Sequence, residues 1–168
     1  MAVASTQTFP FLAGLDLHLA VRVRKEPGSG KPSVVIIPIE RGLPRIVTVP
    51  AEKGFAYMLV EDVIKAYLPE LMPKAHILES VAFRITRNAD LSVHEDDAAD
   101  FMSEMQEVLS ERKRSGCVRL EIEAGVSRTL LSFMQKGLQV RDYHIYRVPH
   151  TVNLGALGSI SSTEGFES

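Results

Sequence analysis

A single cysteine, Cys117, stands in 168 residues, so no internal disulfide framework can form, and its place in an apolar strand-like run fits a reducing compartment. The start, MAVASTQT, lacks a basic segment followed by an apolar one, and the apolar runs fall short of the roughly 18 to 20 residues that span a bilayer. A cytoplasmic chain without export or membrane insertion is the expectation. Charge of one sign is also lacking: 19 Lys and Arg face 21 Asp and Glu, a net charge of -2. Whole-protein attraction to nucleic acid or to an anionic membrane is thereby disfavoured, and any polyanion site must be a local patch. No internal repeat is visible.

What is present suffices for a core. Apolar residues make up 45% of the chain, enough for one domain or at most two small ones. Residues 15–25 alternate, with Leu15, Leu17, Leu19, Val21 and Val23 on one side and Asp16, His18, Arg22 and Arg24 mostly on the other, which predicts a strand with one wet face. The turn-forming run KEPGSGKP leads to a β-branched strand over 34–39, so the pair reads as a hairpin with a long loop. Pro44 and Pro50 bracket a short strand near an edge, residues 55–59 form another, and Val63, Ile64, Tyr67, Leu68 and Leu71 mark a helix over 61–71 that stops near Pro69 and Pro73. A long strand follows over 76–86.

Ser92 and Glu95 have the spacing of a capping box, which predicts a helix over about 93–114. Ala98, Phe101, Met102, Met105, Val108 and Leu109 supply its buried face, and its charges complement the helix dipole. Residues 118–123 alternate as a strand, Ser127 caps a helix running through Lys136 and closing at Gly137, and Tyr143 to Val148 form a last strand. The fold class is α+β, a mainly antiparallel sheet with two to three main helices packed on one face and a β-α-β-α-β second half in which parallel pairing is open. The Gly/Ser-rich end, 158–168, reads as a flexible tail.

The chemistry-bearing residues are weaker signals. The loop Gly28-Ser29-Gly30-Lys31-Pro32 departs from a phosphate-cradling loop, because Lys25 stands where the first Gly belongs, Pro32 replaces the magnesium-binding hydroxyl, and no helix follows. The acids around His94 diverge along a helix instead of converging on a metal, whereas Asp97, Asp100, Glu104, Glu107 and Glu111 form one stripe that suits a solvated face or a basic partner. His18, His76 and His144 fall in strands and read as structural, as does Cys117. No His-x-Lys pattern or metal-ligand spacing involves the histidines. Asn88 and Asp90 sit where a strand must turn. Arg84 and Arg87 are an odd number apart and point to opposite strand faces unless a bulge intervenes. With Arg22, Arg24, Arg112, Lys113, Arg114, Arg119 and Arg128 they could nevertheless build a basic patch, with Arg84, Arg87, Arg112, Lys113 and Arg114 the candidate polyphosphate contacts.

The run FRITRNADL at residues 83–91, the acidic segment after it, CVRLEIE at 117–123, and Tyr146-Arg147-Val148 with Asn153-Leu154 behind occur in the order of a known signature. In these words the chain resembles the middle, or head, domain of the large bacterial polyphosphate kinases, and the likeness extends over 9–157, leaving 1–8 as an extension. The resemblance implies an enzyme that transfers the terminal phosphate of ATP to polyphosphate through a phosphohistidine, with ATP and magnesium needed by the intact protein. Family members carry a helical domain before this one and two phospholipase-D-like domains after it, which hold the phosphorylated histidine and the metal- and phosphate-binding groups. No segment here looks like those. The chain is therefore expected to be an excised, truncated or split-gene head domain that binds no cofactor or metal itself, has no catalytic residue, and is inactive alone. Its implied role is a scaffold and subunit contact bordering the active-site tunnel, with the other kinase domains or subunits as partners, homodimerisation and polyphosphate binding as options, and no nucleic acid. The alternative is a free-standing interaction module that uses the acidic helix face or a sheet edge.

Overall fold

The computed structural model describes residues 2–4, 9–25, 30–52, 54, 56–88, 116–149, 152, 155 and 158. At its centre two long strands lie side by side, β2 (Leu17–Arg24) and β6 (His76–Arg87), paired antiparallel from Leu17 opposite Arg84 to Arg24 opposite His76. β3 (Ser33–Pro38) returns antiparallel along β2 as the predicted hairpin, and Gly30, at φ 74°, turns the chain through the left-handed region that suits glycine. β1 (Ala2–Ala4) adds to the outside of β3. On the other side β7 (Cys117–Glu123) pairs antiparallel with β6, and β8 (Ile145–Val148) pairs parallel with β7. The six strands run in the order β1-β3-β2-β6-β7-β8. A separate ribbon joins β4 (Ile46–Val49) to β5 (Ala56–Leu59), the first matching the Pro-bracketed strand and the second the strand expected over 55–59.

Each sheet face carries one of the described helices. α1 (Val60–Leu71) places Val60 and Leu68 in a cluster with Leu17, Leu19, Val21 and Ala82. α2 (Arg128–Leu138) buries Leu130, Leu131, Met134 and Leu138 with Ala20, Ile36, Phe83, Ile85, Leu120 and Ile122 on the opposite face. The expectation that helices share one face is thus corrected, and with it the wet face of β2. His18 and Ala20 are 3% and 0% exposed because residues 9–12 and α2 cover the side that alternation alone assigns to solvent. Each α2 side chain so buried contributes about 1.5 to 3 kcal/mol. The helix predicted over 93–114, with its capping box, lies outside the described residues.

Local chemistry sets the helix ends. Ser127 accepts a hydrogen bond from the Leu130 amide as the N-cap of α2. The predicted stop at Gly137 shifts: Gly137 is inside the helix, and Gln139 closes it in the left-handed conformation, φ 56°. Gly137 serves packing, for a Cβ there would stand 2.0 Å from Cδ2 of Phe9, whose ring also lies against Phe133, centroids 5.8 Å apart. Pro69 is accommodated within α1, which ends at Leu71. Of the stripe read along that helix, Leu68 is buried, whereas Tyr67 and Leu71 are exposed. The last strand begins later than expected, since Asp142–His144 form a 3-10 turn that moves Tyr143 and His144 out of the strand.

A buried ion pair ties the ribbon to α1. Arg45, just before β4, meets the Glu61 carboxylate through both Nε (2.8 Å) and Nη2, and Nη2 also donates to the Val152 carbonyl at 2.6 Å. Glu61 is 2% exposed and Val152 fully buried, so one guanidinium joins the ribbon, α1 and a residue near the end of the chain. Glu61→Ala is expected to lower stability by about 3 kcal/mol, because it leaves a largely covered guanidinium, 14% exposed, without its carboxylate. Urea denaturation measures the loss, and the double variant Arg45→Met/Glu61→Met should recover much of it.

Candidate functional site

The alternation of β7 sends Leu120 and Ile122 to the α2 face and Glu121 and Glu123 to the α1 face, where they meet cations from neighbouring elements. Glu121, 8% exposed, receives Arg84 Nε on Oε2 at 2.7 Å and Arg119 Nη2 on Oε1 at 2.8 Å. The Arg119 guanidinium also lies 4.2 Å from the centre of the Tyr146 ring. Two guanidinium groups on one carboxylate leave a local surplus of one positive charge, with Arg119 45% exposed. This is a compact arginine-carboxylate-tyrosine group across β6, β7 and β8, and its geometry can hold the three strands in register and present a cation at the surface.

A cleft of about 430 Å³ lies next to it, where β6 extends beyond the end of β7. Ser80 and Val81 line its β6 side, Glu123 and Pro149 the ends of β7 and β8, and Glu61 and Asp62 the start of α1. Lys65 donates to Glu123 Oε1 at 2.5 Å and to Asp62 Oδ1 at 3.4 Å, and the Ala82 amide donates to Glu123 Oε2 at 3.1 Å. Glu79, also at the cleft, accepts from the Ser127 amide at 2.5 Å and its hydroxyl at 2.6 Å, with Arg22 Nε 3.5 Å away. It thereby fastens the α2 cap to the central strand. Each of these carboxylates meets a donor, Asp62 only through the Lys65 it shares with Glu123, and no group of three or more His, Cys, Asp or Glu among the described residues is placed to hold a metal.

Of the candidate polyphosphate contacts, Arg84 is bound to Glu121, and Arg87 donates to the Leu12 carbonyl at 2.9 Å with its guanidinium 4.6 Å from the Phe11 ring centre. The ladder does shift register between Thr86 and Arg87, yet the two arginines still serve different neighbours and do not converge. Arg112, Lys113 and Arg114, and the candidate partner contacts Asp97, Asp100, Glu104, Glu107 and Glu111, lie outside the described residues. Of the wider basic set, Arg119 joins Arg84 at Glu121, Arg22 faces Glu79, and Arg128 is exposed at the start of α2. Reading along the chain missed the Glu121 group and the cleft, because their members come from distant segments. The glutamates alternating with Leu120 and Ile122 were the signal available.

His18 is enclosed between its own turn and the core. Its Nδ1 lies 3.0 Å from the Asp16 carbonyl and therefore carries the proton as donor, and its ring stacks on Phe83 with centroids 5.2 Å apart. Desolvation by burial holds its pKa below the usual 6.5, outweighing the Asp16 backbone hydrogen bond and charge that favour the cation.

An α+β sheet domain covered on both faces, with arginine-carboxylate pairs across its central strands, is the class that these observations define. The family model described as "Polyphosphate kinase middle domain" matches residues 1–160, and the chain belongs to that family. It is 35% identical over 164 residues to a polyphosphate kinase of Streptomyces coelicolor, covering 98% of this chain and 21% of the relative. To a polyphosphate kinase of Mycobacterium marinum it is 33% identical, covering 95% of this chain and 23% of that one. The chain thus spans about a fifth of the length of these relatives. The crystal structure of polyphosphate kinase from Porphyromonas gingivalis shares the fold, with a TM-score of 0.69 and 19% identity over 92% of this chain and 21% of that one. No helix among the described residues is long and apolar enough to cross a membrane.

In the unfolded chain His18 takes up its proton near pH 6.5, in the folded protein only at lower pH. Between those values the unfolded state binds more protons, so acidification below about 6.5 should erode stability until the folded value is passed. Proton NMR titration should place His18 below 6.5, and His18→Gln should remove its share of the acid slope in denaturation.

Proposed function

We propose that this chain acts as the head domain of a polyphosphate kinase, the enzyme that moves the terminal phosphate of ATP onto a growing polyphosphate chain, and that its part is to scaffold the active-site tunnel and contact other subunits. One observation carries the reading: the middle-domain family match runs over residues 1–160 while the chain corresponds to about a fifth of its polyphosphate kinase relatives. The uses of the central arginines support it. Arg84 binds Glu121 and Arg87 binds the Leu12 carbonyl, so both side chains are committed to holding strands and a covering segment in place.

In this proposal the phosphorylated group and the sites for ATP and magnesium belong to other domains of the intact kinase. Phosphoryl transfer requires nucleophile, metal and charge clamps around one moving phosphate, and the head domain contributes walls and contacts to that assembly. A cytoplasmic location and pairing with further kinase domains or a second subunit are parts of the same proposal. In this proposal polyphosphate meets the domain along cations left over after internal pairing, of which the Arg119 edge of the Glu121 group is one described instance.

The purified chain should form no polyphosphate from ATP, and ATP-dependent synthesis by it would overturn the scaffold assignment. Calorimetric titration with medium-chain polyphosphate at two salt concentrations measures the tunnel-wall role separately. Binding that weakens steeply with salt is the expected result for a domain bordering the polymer, with Arg119→Ala weakening it further. Absence of binding at low salt would leave the subunit-contact role alone.

A further inference from the structure

β6 runs over His76–Arg87, whereas its ladder with β7 begins only at Phe83. On that side the first half of β6 has no described strand beside it. The Ala82 amide points to this open side, since it reaches the Glu123 carboxylate. In an antiparallel strand, residues two apart direct their backbone groups the same way, so the amide and carbonyl of Ser80 also point outward, into the cleft that Ser80 and Val81 line. The cleft of about 430 Å³ lies where β6 runs on past the end of β7, between the two strands and the start of α1. Its rim is acidic. Lys65 is shared between Glu123 and Asp62, so one negative charge remains beyond the pairing, and the Asp62 side chain is 49% exposed.

We propose that this notch receives a short extended polypeptide segment bearing a lysine or arginine, which adds as a strand beside Ser80 and sets its cation against Asp62. The proposal rests on the head-domain reading for the segment's source, the portion of the kinase polypeptide that the matched relatives carry beyond this domain. Main-chain hydrogen bonds to Ser80 supply the attachment, and the acidic rim selects the side chain. β1 and β8 stand at the two ends of the described sheet, but among the described residues the notch combines outward backbone groups with a cleft and a charge.

The test uses the full 168-residue chain and two capped synthetic pentapeptides, Val-Lys-Val-Lys-Val and Val-Glu-Val-Glu-Val, followed by amide NMR without ATP or polyphosphate. The lysine peptide should shift the Ser80 amide resonance and slow its hydrogen exchange by tenfold or more at saturation, and the glutamate peptide should bind at least tenfold more weakly. Ser80→Pro removes the outward amide and should abolish the effect. Asp62→Lys, at an exposed helix position, should weaken the lysine peptide at least fivefold and serves if the proline variant does not fold. No shift at Ser80, or equal binding of the two peptides, or equal binding by the Asp62→Lys variant overturns the proposal. Such a failure leaves the polyphosphate kinase reading standing, whereas polyphosphate synthesis by the chain alone would sink that reading without touching the notch.

Discussion

Burial of both faces of the β2-β6 pair is the constraint from which the remaining architecture follows. Leu19, Ala20, Val21 and Phe83 are each 0% exposed, so adjacent residues on one strand are removed from water on opposite sides. A sheet in that condition needs a cover on each face, and α1 and α2 provide the two. Polar side chains caught beneath those covers must find partners inside the protein, since an unpaired buried charge costs several kcal/mol. Glu61 therefore meets Arg45, Glu121 meets Arg84 and Arg119, and Glu79 meets the Ser127 cap.

The same pairings account for how cations are distributed over the domain. A guanidinium committed to an internal carboxylate is neutralised locally and fixed in direction. The domain is thus stiffened across β6, β7 and β8, and its remaining positive charge appears at particular edges. The notch beside Ser80 is the complement: β7 stops short of β6, and the unfinished part of the sheet is rimmed by carboxylates.

Much of this fold was legible along the chain. Alternation located β2 and β7, a β-branched run after turn formers located β3, proline bracketed β4, and Ser127 marked the start of α2, because each signal is local. Helix placement was not legible, for the choice of sheet face depends on which strands pair and in what order. His18 shows the difference: between Leu17 and Leu19 it reads as the wet side of a strand, yet residues 9–12 and α2 cover that side. Gly137 reads as a helix stop, but the approach of Phe9 from a distant segment gives it a packing role. The Glu121 group, assembled from β6, β7 and β8, had no contiguous motif to reveal it.

The sequence by itself determined the α+β class, most strand positions, the cap of α2 and, through the words around residues 83–91, 117–123 and 146–154, the polyphosphate kinase middle-domain family. These depend on short-range periodicity, turn chemistry and residue order, all written along one dimension. Only the tertiary structure decided that the described helices take opposite faces, that Arg84 and Arg119 share Glu121, and that an acidic notch lies open beside Ser80. Those facts depend on strand register and on where one strand ends against its neighbour, which is settled when residues far apart in the chain compete for the same space and the same hydrogen bonds.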